Sequence, residues 1–314
     1  MELTFLGTGA GRPLPGRNVT SVALRLPPGC GGGYWLFDCG EGTQHQMMRT
    51  PVKLSKLERI FITHLHGDHT FGLPGLLSSR AFAGGTSPVW LYGPPGLREW
   101  IETSLRITET RLEYELHLAE IEREGMVYED ERIRVIAAEM AHRTACFGFR
   151  IEEKAAFGKL DAAKLQAFGV PNGPLAGKLK SGEDVTLPDG RIVRSKDVVG
   201  PPVEGRVVTI LGDTSPCDNA VRLAKRADVV VHEATFAAEL EEKALEYGHC
   251  TTVQAAETAR KAGAKRLLLT HFSTRYRDDD LQRLAEEAKA VFRESFAVHD
   301  LLEVRIPKPN EHEG

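Results

Sequence analysis

The stretch ERIFITHLHGDH, residues 58–69, limits the folds open to this chain more than any other. A compact β-prone run, ERIFIT, leads straight into His64, His66, Asp68 and His69. Such a run reads as a strand, so four metal-ligating side chains stand at its carboxyl end. In extended chain, residues i and i+2 point to the same side, and His64 and His66 can reach one ion. Asp68 and His69 follow Gly67, which lets the chain turn and present them elsewhere. Four ligands in six residues are hard to satisfy around one ion, and two adjacent ions are the simpler solution. Gathering so many polar groups without a metal would be costly.

Three isolated residues repeat the same placement. His142 closes RIRVIAAEMAH, Asp213 closes RVVTILGD and His271 closes KRLLLTH, each at or just past a strand-like run. In α/β architectures, site residues gather at the carboxyl ends of strands. Seven residues then make two sites: His64, His66 and His142 for one ion, Asp68, His69 and His271 for the other, with the Asp213 carboxylate bridging.

The rest of the chain fits an α/β reading. LTFLGTGAG, SVALRL, YWLFDCG, PVWLYGP and ADVVVHEAT read as strands. LPGLLSSRAFAG, REWIETSLRI, TTVQAAETARKAG and DDDLQRLAEEAKAVF read as helices, the third closed by Gly263 and the last opening with acids, as the helix dipole favours. With 314 residues and 41% hydrophobic content, the chain can build one large core and need not build two. The net charge of −4 excludes nucleic-acid binding through bulk charge and leaves only a local patch. One segment breaks the pattern. Residues 155–200 are rich in Gly, Pro and Lys, and from Arg150 to Gly200 nine Lys/Arg face seven Asp/Glu. This is a candidate insertion, or arm. Five scattered cysteines without a CxxC argue against a disulfide framework and a cysteine zinc site, and for a reducing cytoplasm. No secretory signal and no membrane span is expected.

HLHGDH matches the HxHxDH signature of the metallo-β-lactamase fold superfamily. Together with FLGTGAG, FDCGEGTQ (37–44), GDT (212–214), HEAT (232–235) and THFSTRY (270–276), the chain resembles the ribonuclease Z family of tRNA 3′-processing endonucleases, nearly end to end. The resemblance implies a four-layer αββα sandwich as a single domain over 1–314, with a protruding flexible arm over 155–195 that binds tRNA. It implies a homodimer, two Zn²⁺ ions per subunit, and precursor tRNA as the partner, with no membrane or DNA. The reaction implied leaves a 3′-hydroxyl on the tRNA and a 5′-phosphate on the trailer. Asp68 becomes metal ligand and proton acceptor, His249 the proton donor to the leaving oxygen, and Glu233 its orienting partner. The family's HST reads His249-Cys250-Thr251 here. Its PxKxRN loop reads PLPGRN, with Pro15 in place of lysine and Arg17 and Asn18 retained as substrate contacts. Ser273 and Arg275 are candidates for holding a phosphate. The arm brings Gly173, Pro174, Lys178 and Lys180, with Lys159 and Lys164, to the RNA backbone. His45, His117, His232, His299 and His312 are expected to be structural or exposed. A small-molecule phosphodiesterase or lactonase-like hydrolase of the same fold, and a non-catalytic RNA-binding scaffold, are the alternatives. The arm argues against the first and the full ligand set against the second.

Overall fold

The computed structural model describes residues 1–308, so His312 lies outside the described residues. Six strands open the chain: β1 (Glu2–Gly7), β2 (Ser21–Arg25), β3 (Tyr34–Phe37), β4 (Leu57–Phe61), β5 (Val89–Gly93) and β6 (Leu116–Glu120). Helices α1 (Thr43–Met47), α2 (Gly67–Thr70), α3 (Leu73–Phe82) and α4 (Leu97–Ile107) lie between them. Strands β7 (Gly125–Glu129), β8 (Ile133–Glu139) and β9 (Phe147–Glu153) follow. After β9 come the short elements α5 (Ala162–Phe168), α6 (Pro174–Lys180), β10 (Val185–Thr186), β11 (Ile192–Val193) and α7 (Ser195–Val198). The chain then runs through β12 (Val207–Ile210), α8 (Asp218–Leu223), β13 (Val229–Glu233), α9 (Glu241–Tyr247) and α10 (Thr252–Ala262). It ends with β14 (Leu267–Thr270), α11 (Leu281–Lys289), β15 (Ser295–Ala297) and β16 (Glu303–Arg305).

Residues 1–152 and 207–306 form one compact unit. It holds two seven-stranded sheets, ordered β16-β1-β2-β3-β4-β5-β6 and β15-β14-β13-β12-β9-β8-β7. Strands β3 to β6 pair in parallel, as do β12 to β15. Period-2 alternation divides each strand between two layers. Phe5, Trp35, Phe37 and Phe61 from the first sheet meet Val135, Phe149, Ile151 and Val208 from the second in one buried cluster. There the Phe61 ring stacks on Phe37 at 5.1 Å and on Tyr92 at 4.8 Å. The opposite faces carry Leu36, Ile60 and Leu91, packed with Leu73, Leu76 and Leu77 of α3. On the second sheet they carry Val230, Leu267 and Leu269, packed with Ala255, Ala256 and Ala259 of α10. Helix–sheet, sheet–sheet and sheet–helix clusters in that order make the αββα sandwich. The carboxyl ends of parallel strands β4, β12 and β14 lead into His64 to His69, Asp213 and His271, as crossover topology favours, while His142 follows the antiparallel β8.

The second compact unit comprises Glu153–Arg206 with Pro307 and Lys308. Its span is wider than the 155–195 expected for the arm. It has a core of its own: Leu165, Val170, Ala176, Leu179, Val185, Leu187, Val193 and Val198. No apolar period showed in the sequence because its elements are two to seven residues long. Asp161 caps α5 through the Lys164 amide, and left-handed Gly169 ends it. At the unit's two chain crossings Arg206 clamps Glu153 with Nε–Oε2 and Nη2–Oε1 bonds of 2.7 and 3.0 Å.

Candidate metal centre

The ligand-bearing segments leave the strands in different ways. After β4 the chain bends at Thr63, is extended again at His66, and then turns into the single helical turn α2, which carries Asp68 and His69. Gly67 starts that turn, but its backbone angle does not require glycine. A Cβ there would lie 2.3 Å from the ring of Phe71, which is exposed and would have to swing aside. Close packing does demand Gly40 of FDCGEGTQ: a Cβ would fall 2.4 Å from the Asp68 carbonyl oxygen. His271 follows β14 directly with φ +57°, a conformation that costs a non-glycine residue energy.

The structure brings all seven expected ligands together. Donor atoms of His64, His66, His142 and Asp213 lie within 4.8 Å of one another, as do those of Asp68, His69 and His271. In the first group, Nε2 of His64 is 3.0 Å from Nδ1 of His66, which is 3.4 Å from Nε2 of His142. In the second, the Nε2 atoms of His69 and His271 are 3.2 Å apart, and Asp68 Oδ2 is 3.7 and 3.4 Å from them. One oxygen, Asp213 Oδ2, faces both groups: 3.6 Å from His64, 3.5 Å from His69 and 3.4 Å from His271. Donors around a tetrahedral ion with bonds of about 2.0–2.1 Å are about 3.3 Å from each other. The observed spacings and the imidazole–carboxylate chemistry therefore fit two metal ions that share Asp213.

Four of the ligands are held from behind, which for the three imidazoles among them fixes which nitrogen faces the site. His69 Nδ1 meets Asp38 Oδ2 at 2.7 Å, and Asp38 also accepts the Thr63 amide and hydroxyl at 2.7 and 2.9 Å. His142 donates Nδ1–H to the Gly248 carbonyl at 2.7 Å. His271 Nδ1 meets the Thr235 hydroxyl at 2.8 Å, and that hydroxyl donates to Glu233 Oε2 at 2.8 Å. The Gly11 amide donates to Asp68 Oδ2 at 2.6 Å. Sequence reading missed Asp38, Thr235, Gly11 and Gly248. Asp38 carried a usable signal, since it directly follows β3 just as the ligands follow their strands.

The charges are strongly coupled. Burial disfavours the Asp213 carboxylate, but the imidazoles of His271, His69 and His64 around it hold it far below the usual carboxylate range. Burial likewise opposes ionised Asp68, and its contacts with His271 and His69 outweigh that and lower it. His64, buried among other imidazoles, is pushed well below the ordinary histidine value. His249 lies beside the cluster, its Nδ1 3.1 Å from Glu233 Oε1 and 3.9 Å from Asp213 Oδ2. Burial works against its charged form, yet the Glu233 carboxylate carries it up to about 9. Glu233 is itself fixed by the Cys250 and Thr235 amides at 2.8 and 2.9 Å.

The expected substrate contacts are placed differently. Arg17 is buried, its guanidinium bound to Asp278 Oδ1 at 2.7 Å and to the Tyr276 carbonyl at 3.0 Å. Asn18 donates its amide to Asp300 and its side chain to the Glu41 carbonyl, at 2.6 and 2.8 Å. Both residues brace the PLPGRN loop from within. Arg275 is exposed and donates to the half-buried Ser273 hydroxyl at 3.2 Å. In the second unit Gly173, Pro174, Lys159, Lys164, Lys178 and Lys180 are all exposed. His45 and His299 are exposed, His117 stacks on Trp90 at 4.1 Å, and His232 is buried.

An αββα sandwich with a histidine–aspartate cluster at its strand ends defines a metallo-β-lactamase-fold protein. Family models agree: the beta-lactamase superfamily domain matches residues 174–272, and the anti-Pycsar protein Apyc1 model matches residues 1–160. Ribonuclease Z of Bacillus licheniformis is 52% identical, covering 98% of this chain and 100% of that protein. Ribonuclease Z of Geobacillus kaustophilus is 51% identical over the same shares. The crystal structure of human tRNase Z, short form, is 33% identical with a TM-score of 0.73, covering 98% of this chain and 100% of that one. The chain belongs to the ribonuclease Z family.

Proposed function

We propose that the chain is a metal-dependent endoribonuclease that removes the 3′ trailer from precursor tRNA. One observation carries the reading: the whole donor set, with its orienting partners, stands in a chain that matches ribonuclease Z over 98% of its length. His64, His66, His142 and Asp213 would hold one ion, and Asp213, Asp68, His69 and His271 the other, with zinc the metal that suits these donors. Bound there, the ions supply Lewis acidity toward water and the phosphoryl oxygens.

The chain's residues supply orientation and proton transfer. The Gly11 amide and the nearby imidazoles hold Asp68 Oδ2, which leaves Oδ1 to accept the proton of the attacking water. The water's oxygen bonds to phosphorus as the bond from phosphorus to the 3′-oxygen breaks. His249, steadied by Glu233, donates a proton to that 3′-oxygen. The tRNA keeps a 3′-hydroxyl, and the trailer leaves with a 5′-phosphate.

The exposed lysines of the second unit supply cations for the RNA backbone. A homodimer belongs to the same reading, since the resemblance to the family implies one. Five scattered cysteines without a CxxC support a reducing cytoplasmic setting, and no described helix is long and apolar enough to cross a membrane. Replacing residues 155–204 by a short glycine linker between the clamped Glu153 and Arg206 tests the reading. We expect loss of precursor-tRNA cleavage with retained hydrolysis of a small aryl phosphodiester. Equal loss of both activities would make the second unit merely structural, and retained precursor-tRNA cleavage would show that its lysines are not needed for the RNA.

A further inference from the structure

Beside the histidines lies a surface that metal chemistry does not explain. Tyr247 ends α9 and is 42% exposed although it is two residues from His249. The Arg143 guanidinium lies over its ring, 5.0 Å from the centroid, and also donates to the Glu246 carbonyl. Lys243 approaches the same ring at 5.9 Å. Behind Tyr247, 6.4 Å away, the buried Phe236 ring carries Arg275 at 5.2 Å and lies 6.1 Å from the His249 ring.

Two features indicate a ligand. Arg143, Lys243 and Arg275 have no carboxylate partner among the described residues, although the chain is net negative. The aromatic–guanidinium surface is also held rigidly against the metal ligands. Arg143 directly follows His142, whose Nδ1–H is bound to the Gly248 carbonyl at 2.7 Å. Gly248 lies in the left-handed region with φ +75°, and a Cβ there would come within 3.1 Å of His142 Nδ1. Nucleic-acid bases stack on aromatic rings and on guanidinium planes alike, and unpaired cations attract the flanking phosphates.

We propose that Tyr247 and Arg143 form a stacking site for the nucleobase immediately 5′ of the scissile phosphodiester, on the last nucleotide the tRNA keeps. The inference rests on the tRNA-processing reading, in which His249 protonates the 3′-oxygen of that nucleotide. Its base is then the one nearest to Tyr247. Stacking accepts any base, so this site fixes the position of the nucleotide and leaves its identity open.

The test is a cycle between protein and substrate. Precursor tRNA with either an intact or an abasic nucleotide at that position is cleaved by wild type, Tyr247→Ala and Tyr247→Phe, and kcat/KM is measured. With the intact substrate, Tyr247→Ala should lose about tenfold and Tyr247→Phe less than about twofold. Wild type should lose about tenfold on the abasic substrate, and Tyr247→Ala should lose nothing more by the same change. Equal losses from Tyr247→Ala on both substrates, or no loss on the intact one, would overturn the stacking site alone. A wild-type enzyme that leaves intact precursor tRNA uncut would overturn the functional reading and this site with it.

Discussion

Asp38 is the residue whose replacement tests most sharply how the centre is held. It is 3% exposed, sits at φ +57°, and accepts the Thr63 amide, the Thr63 hydroxyl and His69 Nδ1. In Asp38→Ala the Thr63 hydroxyl can still turn to His64 Nδ1, 3.0 Å away. The Thr63 amide and the His69 ring N–H cannot, and each orphaned buried donor costs about 1–3 kcal/mol. Alanine in the left-handed region adds about 1 kcal/mol. The metal-free protein should therefore lose about 3–7 kcal/mol, a large share of the ~5–15 kcal/mol typical of a folded protein. Asp38→Asn tolerates the positive φ and keeps an oxygen for the Thr63 amide. It should lose only about 1–2 kcal/mol but bind zinc about 10–100-fold more weakly, because His69 loses its charged orienting partner. Urea unfolding of the metal-free protein and zinc competition against a chelating dye measure the two effects. An alanine variant destabilised by less than about 1 kcal/mol, or an asparagine variant with wild-type zinc affinity, would refute the role given to Asp38.

Other expectations concern regions away from the metal ligands. Burial opposes ionised Glu153, but the Arg206 clamp outweighs it and lowers its pKa from the ordinary 4.5. The clamp's contribution to the second unit is therefore complete above pH 4.5 and lost as pH falls through the lowered value. Hydrogen-exchange protection of residues 154–205 should fall as the pH drops below 4.5, and Glu153→Gln should flatten that dependence; unchanged wild-type protection would count against the clamp. Cys39, Cys146 and Cys250 are buried, while Cys30 and Cys217 are partly exposed. Native alkylation should label only the last two, and fast labelling of Cys250 would contradict the packing around Glu233. Thr235→Val removes the hydroxyl between His271 and Glu233; kcat on precursor tRNA should fall at least about tenfold, and an unchanged kcat would show that His271 needs no such support.

The parts of this protein that were legible in its sequence are those where chemistry restricts residue type locally. Nothing but metal binding readily explains HLHGDH at the end of a strand, and the strand-end rule reached His142, Asp213 and His271 across long separations. The capped helix before Gly263 was equally plain, because Thr251, Gln254 and Gly263 are local signals. The orienting groups were harder to see. Gly11 and Gly248 act through backbone atoms that any residue carries, and their partners lie 57 and 106 positions away. Arg17 was a substrate-contact candidate only through the resemblance of PLPGRN to the family's PxKxRN loop; its burial against Asp278 depends on tertiary closure. The second unit showed in the sequence only as a Gly-, Pro- and Lys-rich insertion, because its elements are too short to display a period. Asp38 was within reach: YWLF followed by a buried Asp repeats the pattern of RVVTILGD.

The most direct measurement is cleavage of a precursor tRNA by the purified protein, with both product ends mapped, before and after chelation and zinc re-addition. A single cut at the tRNA–trailer junction is expected, with a 3′-hydroxyl on the tRNA and a 5′-phosphate on the trailer. Chelation should abolish it and zinc restore it, with two ions bound per chain. An intact precursor, or a 2′,3′-cyclic phosphate at the tRNA end, would contradict the assignment.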